Sequence, residues 1–350
     1  MIKDKSIFIK NIYYMLAYAF QDLKKLDYDK LEKEEFENIQ DLFAEILARG
    51  TSRLLKQGLY REYIIFNEDL STLKGKLNIV QTIKNKIQHK QKLNCEYDEL
   101  SENNIFNQIL KTTIRLLLKD KSIKSQRKQN LKRVSEFLNS VNEINPALIR
   151  WNRLNYQRNN KSYEVLMNIC RFVIDSWLMT TQKGEYKFLQ FSDEQMERLY
   201  EKFVLEYYKK HYKGKLYVGS PQIEWALDEN QTGVEFLPKM QTDITLKSEE
   251  KTLIIDTKYY TKTMTARFDK QKLISANLYQ IFTYVKNEDK NNIGNVSGML
   301  LYARTDEDIT PDFDFTMNGN KISVKTLDLN TDFNIIAKKL DEIAYSMKNN

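Results

Sequence analysis

Two aspartates and a lysine between residues 240 and 260 have the chemical types needed to hold a metal ion and act on a phosphate. Asp243 lies in one short β-type run, and Asp256 and Lys258 end the next. Because strand side chains alternate between faces, Asp256 and Lys258 share one face, and a hairpin would bring Asp243 beside them. Two carboxylates suit Mg²⁺, which prefers hard oxygen ligands. The lysine could position or deprotonate a water and stabilise developing charge.

The pattern Asp…Asp-x-Lys also occurs by chance, and the alternative interpretation is a surface hairpin with solvated charges. Its position favours a site, because the buried-strand sequence Leu253-Ile254-Ile255 ends directly in Asp-Thr-Lys. Charge buried at the end of such a strand is costly unless a metal or an ion partner compensates it. The sequence therefore favours a cation site.

Two further polar pairs are spaced to share a helix face. Gln280 and Tyr284 are four residues apart, about twenty residues after Lys258, and side chains at this spacing are neighbours. They are either a core tyrosine beside a surface glutamine or a polar pair aimed at the catalytic strand or DNA. Glu197 and Glu201 have the same spacing. Most such glutamates are solvated, and Glu201 is the candidate for an additional metal-site carboxylate.

Helices and short β-type runs alternate after about residue 187. Ser192 and Gln195 form a capping-box pattern that predicts the start of a helix. Further along, β-type runs are predicted over 216–218, 242–246 and 252–256, a helix over 273–285 and a buried strand over 298–302. This order predicts an α/β (α+β) fold with a mixed central sheet flanked by helices.

The first half of the chain is predicted to be mainly helical. Apolar residues recur there at helical spacing, and short β segments are predicted only around 63–66 and 76–80. We therefore predict two regions, a mainly helical one over 1–187 and an α/β domain over 188–350.

The composition is that of a globular protein whose cysteines are expected to be reduced thiols. It leaves little capacity for histidine or cysteine chemistry. Of the 350 residues, 41% are hydrophobic, and the chain contains 21 tyrosines and 17 phenylalanines. This apolar content is enough to form cores. Two histidines and two cysteines without a CxxC pair exclude multi-histidine sites and zinc clusters. No apolar run approaches the roughly 20 residues of a membrane span, and no signal-peptide pattern opens the chain. We expect a cytoplasmic protein with no membrane partner.

The net charge of +7 is concentrated in residues 51–150, which carry 19 basic and 10 acidic side chains. The densest run extends from Lys119 to Arg133, with only Asp120 opposing it, and a second basic segment covers 84–92. Such a run is either a solvated helix face or a surface that contacts phosphates or an acidic partner.

Asp243, Asp256, Lys258 and the spacing Gln280-x-x-x-Tyr284 together resemble the PD-(D/E)XK nuclease superfamily, although Thr242 stands where the name-giving motif has proline. The chain resembles one of its families more closely. The segments IKNIYYMLAYAF, LKGKLNI, NNIFNQILKTTIRLLL, FLPKMQTDITL and LIIDTKYY are similar, in this order, to McrC, the nuclease subunit of the McrBC modification-dependent (5-methylcytosine) restriction system. The similarity extends over nearly the whole chain.

This resemblance implies a Mg²⁺-dependent endonuclease subunit that cuts double-stranded DNA. Its N-terminal region would dock onto a hexamer of an AAA+ GTPase, McrB, which reads the methylated base and binds GTP, while McrC stimulates the hydrolysis. The chain itself has no Walker A pattern. By motif position, Asp243 and Asp256 would be metal ligands, with the Thr257 carbonyl as third ligand, and Lys258 would be the catalytic lysine. Glu201, Gln280 and Tyr284 would be accessory.

Two other functions stay open from the sequence. A stand-alone PD-(D/E)XK repair nuclease would cut DNA without any GTPase or GTP. A non-catalytic activator would only stimulate an AAA+ partner, but such a protein has no need to keep Lys258 beside two carboxylates.

Overall fold

The computed structural model describes residues 3–4, 7–19, 36–182, 193–228, 231–259, 264–267, 270–304 and 310–347. The chain divides into two compact units. Unit 1 comprises Met1–Ile39 and Gln190–Asn350, and unit 2 comprises Gln40–Leu189. Among the described residues, no helix combines the length and the apolar character needed to cross a membrane.

The elements up to residue 182 are, in chain order, β1 (Lys3–Asp4), β2 (Ile7–Phe8), α1 (Ile9–Ala19), α2 (Ile39–Gln57), β3 (Glu62–Leu70), β4 (Lys76–Leu77), α3 (Ile79–Ile87), β5 (Leu93–Ser101), α4 (Ile105–Lys119), α5 (Ser125–Glu136) and α6 (Glu164–Gln182). Those that follow are α7 (Asp193–Tyr212), β6 (Tyr217–Gly219), β7 (Gln222–Ile223), β8 (Met240–Gln241), β9 (Ile244–Lys247), β10 (Thr252–Lys258), β11 (Met264–Arg267), β12 (Lys270–Leu273), α8 (Ser275–Glu288), β13 (Val296–Ala303), β14 (Phe313–Met317), β15 (Asn320–Leu327) and α9 (Phe333–Tyr345). Short 3-10 helices occupy Pro146–Leu148, Trp151–Arg153, Lys161–Tyr163 and Val234–Phe236.

The main sheet of unit 1 has the strand order β14-β15-β13-β10-β9-β6. Strands β10, β13 and β15 are parallel, whereas β14, β9 and β6 join by antiparallel pairing. Helix α8 packs on β10, β13 and β15, and α7 packs on β6, β9 and β10. The predicted α/β fold, with a mixed sheet flanked by helices, is confirmed. The predicted helix start at Ser192 lies outside the described residues, and α7 is described from Asp193.

A glycine in β13 allows α8 to pack closely on the sheet. A Cβ atom at Gly298 would lie 2.8 Å from Ile281 Cγ1 and 2.8 Å from Val285 Cγ2. Both of these α8 side chains are fully buried and pack with Ile254 of β10. Since cores are close-packed, the missing side chain fixes how near α8 lies to the central strands.

The first helix belongs to unit 1, which differs from the predicted division into 1–187 and 188–350. Tyr18 of α1 packs edge-on against Phe203 of α7, with ring centroids 5.7 Å apart, and Tyr14 stacks on Phe333 at 4.3 Å. The Asn11 amide also donates to the Leu329 carbonyl at 2.8 Å. Aromatic burial against residues far along the chain therefore places α1 in unit 1. The predicted boundary at 187/188 lies outside the described residues.

Unit 2 contains more sheet than the sequence predicted. Its three strands pair in the order β3-β5-β4, and β5 was not predicted. The β segment predicted over 76–80 is wrong in its second half. Asn78 caps helix α3 there, and its side chain accepts a hydrogen bond from the backbone N–H of Gln81. Cys95 and Cys170 are both buried free thiols.

Candidate active site

The hairpin of β9 and β10 brings Asp243 beside the end of β10. The last residues paired between these strands are Ile244 and Ile255, so Asp243 comes directly before the paired segment and Asp256 directly after it. The backbone N–H of Thr257 donates to Asp243 Oδ2 at 2.7 Å, and its Oγ1 donates to the same oxygen at 2.9 Å. Two donors from one residue therefore fix the Asp243 carboxylate at the end of the strand.

Thr242 anchors the chain just before Asp243. Its N–H and Oγ1 both donate to the Pro221 carbonyl, at 3.2 and 3.0 Å, and its side chain is buried. Thr245 Oγ1 in turn donates to Thr242 Oγ1 at 3.1 Å. A proline at this position could make neither bond to Pro221, because it has no N–H and no hydroxyl. The departure from the motif thus has a structural role of its own, which the sequence did not indicate.

Asp256 is almost completely buried and only partly compensated. Its side chain is 2% exposed, and its Oδ2 lies 2.9 Å from Lys258 Nζ. Its Oδ1 is buried and accepts no hydrogen bond from any described residue. Burial, and then the neighbouring Asp243 carboxylate, raise the pKa of Asp256 to about 7. Burial also raises the pKa of Asp243, against the lowering effect of the two Thr257 hydrogen bonds.

These observations fit a divalent cation. A buried Asp256 carboxylate beside the half-buried Asp243 carboxylate is costly without a cation, and a buried oxygen without a donor is a position that a metal would satisfy. Within the described ranges, no group of three or more His, Cys, Asp or Glu side chains is placed to hold a metal ion. The side chains available are thus two carboxylates, and Mg²⁺ commonly takes one or two carboxylates and completes its sphere with water and substrate phosphate oxygens.

Lys258 lies at one end of a chain of polar groups from α8. Lys258 Nζ donates to Gln280 Oε1 at 3.4 Å, and Gln280 Nε2 donates to Tyr284 OH at 3.2 Å. Lys258 and Tyr284 are each 9% exposed. The structure therefore brings the predicted accessory pair to the lysine, and the pair is not a core tyrosine beside an unrelated surface glutamine.

Asn277 and Tyr302 extend this polar set and were missed by the sequence analysis. Tyr302 of β13 is the register partner of Lys258, and the Asn277 amide donates to its hydroxyl at 2.9 Å in the interior. Asn277 precedes Gln280 by three residues, so both lie on the face of α8 that also carries Tyr284. This spacing is the signal that could have identified Asn277, whereas Tyr302 looks like an ordinary residue of a buried strand.

Glu201 of α7 is electrostatically coupled to the same site. Burial raises the pKa of Glu201 to about 7, with further contributions from Asp243, Glu197 and Asp256. Glu201 is half-buried. Its participation in a metal site stays a prediction, as does ligation by the Thr257 carbonyl.

Comparison with known proteins gives the family. The family described as McrBC 5-methylcytosine restriction system component matches residues 4–303. The chain belongs to this family, as the sequence resemblance predicted. It is 28% identical over 338 residues, 96% of each chain, to the type IV methyl-directed restriction enzyme EcoKMcrBC of Escherichia coli K12.

A solved structure shares the fold. The refined half-complex from the tetradecameric assembly of Thermococcus gammatolerans McrB AAA+ hexamers with bound McrC contains a chain that superposes with a TM-score of 0.52 at 16% identity. The match covers 96% of the present chain and 76% of that chain. At this identity the likeness establishes the fold.

Proposed function

We propose that the chain is the Mg²⁺-dependent DNA endonuclease subunit of a McrBC-like modification-dependent restriction complex. The observation that carries the proposal is the buried Asp256 at the end of β10, with Asp243 beside it and Lys258 Nζ 2.9 Å from its Oδ2. Membership of a restriction-system family supports DNA as the substrate. The two buried free thiols agree with activity in the cytoplasm, where thiols stay reduced.

In this mechanism, Asp243, Asp256 and the Thr257 carbonyl would hold the metal. When bound, Mg²⁺ would polarise a phosphodiester and lower the pKa of a water. Thr257 keeps the Asp243 carboxylate turned toward the strand end through its two donors. Lys258, held between Asp256 and Gln280, orients the attacking water and offsets the negative charge that develops as the new P–O bond forms and the bond to the leaving oxygen breaks.

We further propose that the chain works with an AAA+ GTPase partner and stimulates its GTP hydrolysis. The structure with the matching fold is a complex of McrB AAA+ hexamers with bound McrC. GTP binding and recognition of the modified base would belong to the partner.

The test is Asp256→Asn, which keeps the size of the buried side chain and removes its charge. With a McrB-like partner, GTP, Mg²⁺ and methylated plasmid, the variant should stimulate GTP hydrolysis like the wild type but leave the plasmid uncut. Cleavage at the wild-type rate by the variant would overturn the assignment of the site. Cleavage by the wild-type chain alone, without partner or GTP, would support a stand-alone nuclease. GTPase stimulation without any cleavage would support a pure activator.

A further inference from the structure

Helix α5 lies in the basic run of unit 2. One of its cations, Arg127, points inward and is paired with acidic side chains. Leu131, Val134 and Arg127 are buried on the inner side of the helix. Arg127 Nη1 donates to Glu45 Oε2 at 2.8 Å, and its Nε lies 3.9 Å from Asp41 Oδ2. Arg127 therefore belongs to the interior of unit 2 and not to the basic surface that the sequence suggested.

Five of the other cations of the run form a surface without ion pairs to described residues. Those that are at least partly exposed and have no ion-pair partner among the described residues are Lys119, Lys121, Lys128, Lys132 and Arg133. Lys128 and Lys132 are one helical turn apart, and Arg133 is next to them on the outward arc. Asp120, the acid within the run, is engaged locally, accepting from the N–H and Oγ of Ser122 at 2.8 Å each.

The other fully exposed side chains of α5 are three uncharged hydrogen-bonding groups and one acid at the end of the helix: Ser125, Gln126, Gln129 and Glu136. The centre of a protein–protein interface usually contains aromatic or apolar anchors, and the exposed Phe137 lies beyond the end of this helix. Clustered lysines and arginines beside serine and glutamine are instead the groups that contact phosphates in protein–DNA complexes.

We define the α5 surface as Lys119, Lys121, Lys128, Lys132 and Arg133. We infer that the α5 surface binds the phosphate backbone of double-stranded DNA. The inference rests on the proposed function for the identity of the polyanion. The α5 surface belongs to unit 2, whereas the candidate active site belongs to unit 1. DNA bound here would be held through its phosphates, independently of base sequence and of methylation.

The test compares two triple variants of the full-length chain in duplex DNA binding, measured by fluorescence anisotropy over a salt series without Mg²⁺ or nucleotide. Lys121→Gln/Lys128→Gln/Lys132→Gln should weaken binding and make the slope of log K against log salt shallower by about 2 to 3, because each lost phosphate contact removes about 0.9.

The matched control is Lys290→Gln/Lys321→Gln/Lys339→Gln, which removes the same charge from lysines that already pair with acids, at 3.6, 3.3 and 3.7 Å. Its slope should equal that of the wild type. The double variant Lys128→Arg/Lys132→Arg, which keeps the charge, should also retain the wild-type slope, and it separates loss of charge from loss of folding.

An unchanged slope in the α5 variant, or a wild-type chain whose duplex binding does not respond to salt, would overturn the inference. So would an α5 variant that binds DNA normally but no longer associates with the GTPase, since the surface would then face an acidic protein. Asp256→Asn should keep the wild-type slope, so failure of the proposed nuclease function and failure of the α5 surface are read in separate experiments.

Discussion

Lys258 Nζ lies 2.9 Å from Oδ2 of Asp256, two residues earlier on the same strand. On its other side, the ammonium donates to Gln280 Oε1 at 3.4 Å. The lysine is thus held between a carboxylate and an amide, and its charge is placed next to the carboxylate proposed to hold the metal. A lysine fixed in this way loses little side-chain freedom when substrate binds, which favours a role in the reaction over one in stability.

Lys258→Met should reduce DNA cleavage by about 10²- to 10³-fold, the range for loss of one preorganised charge at a reacting group. Stimulation of the partner's GTPase should stay at the wild-type level. Single-turnover cleavage of methylated plasmid measures the effect. Lys247→Met is the control, because Lys247 lies in the same hairpin but pairs with Glu288 at 2.6 Å. Equal losses in both variants would contradict a special role for Lys258.

Gln280→Met should lower the cleavage rate by about tenfold, because it removes the acceptor that orients Lys258 while keeping a side chain of similar length. Tyr284→Phe removes only the hydroxyl that Gln280 contacts at 3.2 Å, so its effect should be smaller and in the same direction. Tyr279→Phe, at a neighbouring position that is 68% exposed, should have no effect. If the Tyr279 and Tyr284 variants cut equally well, the hydrogen-bond chain does not contribute.

Thr257→Val should slow cleavage more than it destabilises the fold. The variant loses the 2.9 Å hydrogen bond to Asp243 Oδ2 and keeps the backbone bond, which should cost about 1 kcal/mol of unfolding free energy. Thr326→Val is the matched control, since its hydroxyl donates to the Pro311 carbonyl at 2.7 Å on another strand. Urea unfolding should give similar unfolding free energies for both variants, whereas the plasmid assay should show reduced cleavage only for Thr257→Val. Normal cleavage by Thr257→Val would refute its orienting role.

The metal-free chain should lose stability as pH rises from about 4 to 7. The pKa of Asp256 and that of Glu201 are each raised to about 7, mainly by burial, whereas in the unfolded chain they ionise near 4. The native state therefore binds more protons than the unfolded state in this window, and the unfolding free energy falls with pH. In EDTA, the melting temperature should fall across this range, and less steeply for Asp256→Asn.

Mg²⁺ should reverse this loss at neutral pH. A hundredfold excess over Kd would stabilise the wild-type chain by about 2.7 kcal/mol if only the native state binds. Asp256→Asn should not respond, and thermal melting without DNA measures both. A variant that gains as much stability from Mg²⁺ as the wild type would place the metal elsewhere.

Gly298→Ala should destabilise unit 1 by about 1 to 3 kcal/mol, because the added methyl group would lie 2.8 Å from Ile281 and Val285. Since α8 must shift away from β13, Gln280 would move from Lys258 and cleavage should fall as well. Combining Gly298→Ala with Val285→Ala, which removes the crowded Cγ2 carbon, should restore part of both. No change in the melting temperature of the single variant would show that the close approach of α8 is not needed.

The proximity of Asp243, Asp256 and Lys258 could be predicted from the sequence because local rules position these three side chains. Alternation along β10 places Asp256 and Lys258 on one face, and a short hairpin returns the chain to Asp243. The pairing of Gln280 with Tyr284 follows from helical spacing, although their contact with Lys258 depends on how α8 packs, which no local rule gives.

Two features that local patterns do not indicate depend on contacts between distant parts of the chain. The first helix joins unit 1 because Tyr14 and Tyr18 pack against Phe333 and Phe203, and nothing near α1 indicates these partners. From the sequence, Arg127 cannot be told apart from the surface cations of its run. In the fold it is buried and donates to Glu45, which lies 82 residues earlier. Tertiary packing decided both outcomes.

The parallel pairing of β10 with β13, Lys258 opposite Tyr302, has a consequence for the order of folding. Parallel neighbours cannot be joined by a tight turn, and here the connecting chain includes α8, which carries Gln280 and Tyr284. The hairpin with both aspartates can form locally, whereas the lysine acquires its second partner only after the crossover closes, a slow step for non-local contacts. Under the proposed function, a chain that has not completed the crossover holds Lys258 without its Gln280 partner, so it should cut DNA more slowly than the fully folded chain.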